Sequence, residues 1–113
     1  MPIVTINHKE AAALTELGKL REALPEIVSR AVDCPEEPYD GALRPGDINM
    51  IVTASLAPSE PLDYVIEIRT RRTDSRGANL QERSEAISSA LGALGLRNFG
   101  VWLQLQEAAW AQK

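Results

Sequence analysis

Four arginines fall within eight residues, in the stretch RTRRTDSR that runs from Arg69 to Arg76. Arginine grips a carboxylate through two parallel hydrogen bonds, so a cluster of this kind suits a small anionic ligand. The chain as a whole is acidic: twelve Lys and Arg stand against sixteen Asp and Glu, for a net charge of −4. A basic spot on an acidic protein fits a local anion site better than a surface for a polyanion. The competing use of these arginines is plain pairing with Asp63, Glu67, Asp74 and the acidic helix beyond. The other group with chemistry lies at the opposite end, in MPIVTIN. Pro2 can serve simply as a stiff first residue of a strand, where no ladder donor is needed. Once Met1 is removed, the same nitrogen becomes a secondary amine that can take a proton; while Met1 stays, it is an amide and no base.

Other reactive residues are few. His8 is the only histidine and Cys34 the only cysteine, so no intramolecular disulfide can form. Neither belongs to a cluster with metal-ligand spacing, and no metal site is expected. No glycine-rich phosphate loop occurs. No apolar run is long enough to span a membrane. The first residues lack the pattern of a signal peptide, and a cytoplasmic location is the default expectation.

Hydrophobic periodicity supplies the elements that must position these groups. Residues 2–7 and 48–55 read as strands, the second rich in β-branched residues. Between them, residues 9–33 carry Leu14, Leu17, Leu20, Leu24, Ile27 and Ala31 at helical spacing. Pro25 is expected to kink this helix or to start a second segment. A long loop rich in Pro, Gly and acid follows at 34–47, and loops of that length tend to be functional or mobile. Residues 63–69 form a third strand, with Tyr64, Ile66 and Ile68 on one face. A polar connection, TRRTDSRGA, leads to a helix that Asn79 can cap, with Glu82 at the reciprocal position and Gly95 as its stop. The last strand, 99–106, points Phe99, Val101, Leu103 and Leu105 one way, and Gly100, Trp102, Gln104 and Gln106 the other.

The order is β-α-β followed by β-α-β, in one domain with similar halves at about 2–55 and 63–106. Each half can be a right-handed parallel unit. Two folds carry this order, the ferredoxin-like sandwich and the tautomerase fold. Four stretches, in order, separate them: MPIVTI, INMIVT, DYVIEIRTRRTDSRGANLQERSEAI, and FGVWLQL followed by EAAW. Together they resemble the tautomerase superfamily, in particular its isomerase-like branches.

That resemblance implies an α+β subunit with a four-stranded mixed sheet and two helices on one face, assembled as a homotrimer. It implies Pro2 as an acid–base catalyst on a small carbonyl or enol carboxylate, with no metal and no cofactor. Arg72 and Arg76 match a pair of arginines found in this connection in the dehalogenase-like branch, with one residue inserted, and Arg69 stands beside them. Trp102 and Gln104 match positions near the proline in the last strand. Asn49 departs from the pattern: muconate-type relatives carry an arginine early in this strand. Asn49 can still hydrogen-bond a carbonyl or carboxylate but brings no charge. No tyrosine occupies the place of the usual phenolic acid. These departures keep open a second expectation, a trimeric binding or scaffold protein that retains the fold without the enzyme. Neither reading involves nucleic acid or membrane.

Overall fold

Val4, Ile6 and His8 are buried, while Ile3, Thr5, Asn7 and Lys9 between them are less enclosed. Such alternation is the mark of a strand with one face on a core. The computed structural model describes residues 2–37 and 40–113. Met1, with the question of its removal, lies outside the described residues, as do Pro38 and Tyr39 of the long loop. The elements are β1 (Ile3–Lys9), α1 (Leu14–Ala31), β2 (Asn49–Leu56), β3 (Tyr64–Arg71), α2 (Asp74–Ala78), α3 (Leu80–Ala93) and β4 (Phe99–Gln106). The sheet order is β2-β1-β3-β4. β1 pairs parallel with β2 and antiparallel with β3, and β3 pairs parallel with β4. The two halves are thus two parallel units joined through their first strands, and the expected α+β architecture with a mixed sheet is present.

The core gathers Val4, Ile6, Ile66 and Ile68 from the central strands with Leu20, Leu24 and Val28 of α1 and Ile87 and Leu91 of α3. Tyr64 belongs to it, as its place in the DYVIEIR pattern suggests. Among the described residues, no helix is long and apolar enough to cross a membrane.

Three local features differ from expectation. α1 runs unbroken through Pro25. The carbonyl that loses its partner belongs to the exposed Arg21, where water can serve it, while Leu24 and Val28 keep the helix pressed to the sheet. The polar connection contains a helix of its own, α2, whose start is capped by Thr73: its Oγ1 accepts from the Arg76 backbone N–H at 3.3 Å. Asn79 does not cap α3 with its side chain; its Oδ1 accepts instead from Arg83 Nε at 2.6 Å. Gly95 ends α3 as expected, with φ at +88°.

The least expected interior group is Arg76, which has no solvent exposure at all. Its Nη1 donates to Asp40 Oδ2 at 2.8 Å and to the Arg71 carbonyl at 2.9 Å, and its Nε to the Val32 carbonyl at 2.9 Å. Burial pushes the Asp40 carboxyl up, while hydrogen bonding and positive charge, chiefly from the Arg76 guanidinium, together hold it below the usual aspartate value. A carboxylate with a lowered folded pKa adds stability above its unfolded value of about 3.9, and that stability is lost as pH falls through the folded value. Replacing Arg76 by Met is expected to cost about 3–5 kcal/mol in urea unfolding at neutral pH. Asp40→Asn should flatten the loss of stability below about pH 4. A cost under ~1 kcal/mol for Arg76→Met would show that the pair does not hold the fold together.

Candidate active site

The strand register decides which side chains meet on the sheet face turned away from the helices. One row across all four strands holds Asn49, Ile3, Arg69 and Gln104. The row beside it holds Ile51, Thr5, Glu67 and Trp102. Four of the expected site residues therefore share one face: Asn49, Arg69, Trp102 and Gln104. Trp102 is 61% exposed, and Gln104 is also exposed.

Pro2 is buried directly before Ile3. Its carbonyl accepts from the backbone N–H of Asn49 at 3.0 Å and from Asn49 Nδ2 at 3.3 Å. Asn49 thus fastens the head of β1 to β2, and part of its amide is already engaged.

Beyond the Ile3 row, β3 continues to Arg71, which pairs with Gln106 of β4. Here Ile3, Arg69, Thr70, Arg71 and Gln106 line a cleft of about 90 Å³ against the C-terminal tail, which contributes Trp110. Neither Arg69 nor Arg71 forms an ion pair with a described residue. Arg69 Nε is shut off from solvent and has no hydrogen-bond partner among the described residues. The nearest acid on this face, Glu67, already accepts from Asn7 Nδ2 at 2.8 Å. The site is therefore cationic, partly apolar, and set beside the first residue of β1.

No protein-family model matches the sequence, and no curated protein matches it at a significant level. Solved structures do match, over nearly the whole chain. FG41 malonate semialdehyde decarboxylase inhibited by 3-bromopropiolate aligns at 13% identity, covering 93% of this chain and 83% of its own, with a TM-score of 0.60. The F6 fused 4-OT, an asymmetric trimer, aligns at 18% identity over 93% and 86%, with a TM-score of 0.54. A 5-carboxymethyl-2-hydroxymuconate delta-isomerase aligns at 15% over 100% and 86%, with a TM-score of 0.52. The chain has the tautomerase fold. Identities this low speak for the fold alone.

Within the tautomerase fold the remaining candidates lie apart from this cleft. Arg76, expected to hold substrate, is fully enclosed, and its ion pair and carbonyl contacts take it out of reach of a ligand on the open face. Arg72 is exposed, with Nε 4.0 Å from Glu107. His8 is buried at the far end of β1, and its Nδ1 lies 2.6 Å from the Lys9 carbonyl, so that nitrogen carries the proton. Tyr64, also at that end, donates to Glu16 Oε1 at 3.2 Å; burial and the Glu16 carboxylate push its phenol up to about 12. Its place at the opposite end of the sheet from Arg69 and Arg71 keeps it from serving as a phenolic acid in this cleft. Cys34 is buried between the Thr73 and Ser75 hydroxyls, at 3.2 and 3.1 Å. Among the described residues, no three His, Cys, Asp or Glu side chains gather to hold a metal ion.

Arg71 belonged to the arginine cluster but was not singled out from it, and Gln106 and Trp110 did not stand out in the sequence. The available signal was alternation: had the third strand been carried two residues past Arg69, Arg71 would have fallen on the same face.

Removing the Asn49 amide should cost the single hydrogen bond from its side chain, since the backbone bond to Pro2 remains. Asn49→Ala is expected to lose about 1 kcal/mol in urea unfolding. No measurable loss would mean that the side chain does not hold the head of β1.

Proposed function

We propose that the protein is a tautomerase-type isomerase, acting on a small carbonyl or enol carboxylate through the amine of Pro2. The observation that carries this reading is the company of Pro2: a buried residue at the head of β1, beside the Asn49–Ile3–Arg69–Gln104 row. A free amine terminus has a pKa near ~8, and a secondary amine lies higher. Burial and nearby guanidinium groups disfavour the ammonium form and bring that value toward neutrality, where a general base works best. The neutral amine then takes a proton from the carbon beside a carbonyl. The C–H electron pair passes into an enolate, and the resulting ammonium returns the proton to a different carbon. Arg69 holds the substrate carboxylate, and Gln104 donates to the carbonyl oxygen as charge builds there. Trp102 walls the site. Arg72, exposed and apart from the cleft, adds only to the positive potential of this end of the sheet.

The working form is a homotrimer. Ile51 and Trp102, both exposed, lie on the open face, and β2 and β4 leave unpaired edges. Exposed edges and apolar patches of this kind call for a covering surface. Neighbours of the same fold include fused 4-OT trimers, both asymmetric and symmetric.

Protein produced in its natural host and freed of Met1 should convert phenylenolpyruvate or a 2-hydroxymuconate-like compound. Pro2→Ala should lower kcat/KM by at least about 100-fold. NMR titration should place the Pro2 nitrogen well below free proline. Equal rates for the two proteins would overturn the catalytic role, as would intact mass showing Met1 fully retained. A Met1-free trimer that binds carboxylates without converting them would instead be the binding protein. Light scattering should give three chains per particle, and Trp102→Arg should shift the population toward monomer; a wild-type monomer would overturn the assembly.

A further inference from the structure

We propose that the C-terminal tail, residues 107–113, is a movable strap over the cleft at the end of β3, with Trp110 as its latch, and that a ligand of more than a few atoms enters only when the strap lifts. The inference rests on the tautomerase reading only in taking this cleft as the substrate's; the strap itself requires no catalysis. With the tail in place the cleft holds about 90 Å³. Pockets that enclose a small-molecule ligand run to about 300–1,000 Å³. The cleft as it stands is therefore closed to a ligand of that class, and one of its walls has to give.

The walls differ in how they are held. Strands β1, β3 and β4 supply Ile3, Arg69, Arg71 and Gln106, all within hydrogen-bonded ladders. The Arg71 carbonyl is also gripped from behind by Arg76 Nη1 at 2.9 Å. These walls cannot retreat without unpairing the sheet. The tail supplies Ala108, Ala109 and Trp110. It has no regular structure, its residues are all exposed, and past Gln106 its backbone forms no hydrogen bond with the described residues. The last backbone tie is the Gln106 carbonyl, which accepts from the Arg72 N–H at 2.9 Å. Beyond it, Glu107 stands 4.0 Å from Arg72 Nε with both groups in water, and an ion pair of that kind holds little. The indole N–H of Trp110 donates to Gln112 Oε1 at 3.1 Å, within the tail itself. The ring is therefore held at the cleft by packing alone, and it remains half exposed. A segment with few apolar contacts and no backbone ladder opens at low cost. Gln106 is the hinge: on its β4 side the chain is locked, and on its tail side it is free to swing. The fraction of time the strap spends open then sets the apparent affinity for any ligand that must pass it.

Benzoate is the probe too large for the closed cleft, and acetate the probe that fits beneath the strap; both are followed by backbone amide shifts. Trp110→Ala removes the latch and keeps every charge, and a chain ending at Glu107 removes the strap altogether. Each should bind benzoate about tenfold more tightly than the full chain, with acetate within about twofold of it. Equal or weaker benzoate binding in either variant would overturn the strap, as would no benzoate binding by any form. An equal gain for acetate would trace the effect to something other than size and overturn it too. In the ligand-free full chain, relaxation dispersion should show the amides of the tail and of Arg69 and Arg71 exchanging at one common rate, an exchange lost in Trp110→Ala. A tail that moves with no echo in β3 would overturn the latch. Light scattering should give the same particle for all three chains; a Trp110→Ala protein that falls apart would mark the tail as a subunit contact instead. A benzoate gain in Met1-free protein without turnover would leave the strap standing and remove the isomerase; turnover with no benzoate gain would do the reverse.

Discussion

The buried guanidinium of Arg76 is the constraint on which the rest of the structure depends. Taking such a charge out of water costs several kcal/mol, and it is tolerated only where its partners are already in place. Here they come from three separate segments: the Val32 carbonyl at the end of α1, Asp40 in the long loop, and the Arg71 carbonyl at the end of β3. Arg83 of α3 repeats the device, donating to the Ala31 and Asp33 carbonyls at 3.1 and 2.9 Å. The carbonyls that end a helix lack internal partners and carry the negative end of its dipole. Two arginines from the second half of the chain supply both the donors and the charge that the end of the first helix needs. The halves are thus joined by more than the β1–β3 ladder.

This junction also sets the site. Arg71 has its carbonyl held from the helix side while its side chain lies on the opposite face of the sheet. The strand pleat separates the two tasks. Thr70 and Arg76 face the interior and fix where β3 ends. Arg69 and Arg71 face outward and form no ion pair among the described residues. Like charges crowded on one strand end would splay a loose segment. A strand end gripped from behind can hold them at a constant spacing, and preorganised donors of that kind are what an anion site requires.

Much of the fold was legible because period 2 and period 3.6 differ sharply wherever a core is present. The last strand, Phe99–Gln106, lies where its alternation puts it, and of the stripe expected in α1, Leu17, Leu20 and Leu24 are buried, while Leu14 at the start of the helix is exposed and Val28, outside that stripe, is buried. What escaped reading lacks a hydrophobic signature. α2 is five mostly polar or small residues with no apolar stripe, and only the threonine cap in TDSR marks it. The depth of Arg76 could not be read either, since four neighbouring arginines look alike until tertiary contacts with Asp40 and Val32 separate them. Asn49, Arg69, Trp102 and Gln104 were found by spacing and resemblance, whereas Arg71 and Trp110 meet only through the sheet register and the path of the tail.

The register also gives a physical meaning to the asparagine that stands where muconate-type relatives carry an arginine. Asn49 and Arg69 flank Ile3 on opposite sides, each one strand spacing of about 4.8 Å away. A cation on β3 therefore stands as close to the head of β1 as one on β2 would. With Asn49 in the β2 place, the amide is free to tie down the Pro2 carbonyl, a bond that arginine could make only by giving up part of its grip on a carboxylate. Positive charge is then concentrated on one side of β1, at Arg69 and Arg71, and the other side is neutral. A dicarboxylate spanning both sides of the strand would find a counter-charge at one end only. The cleft at this end of the sheet thus joins the charge of β3 to apolar surface at Ile3 and Trp110, while the β2 side of the row offers an amide already engaged with Pro2.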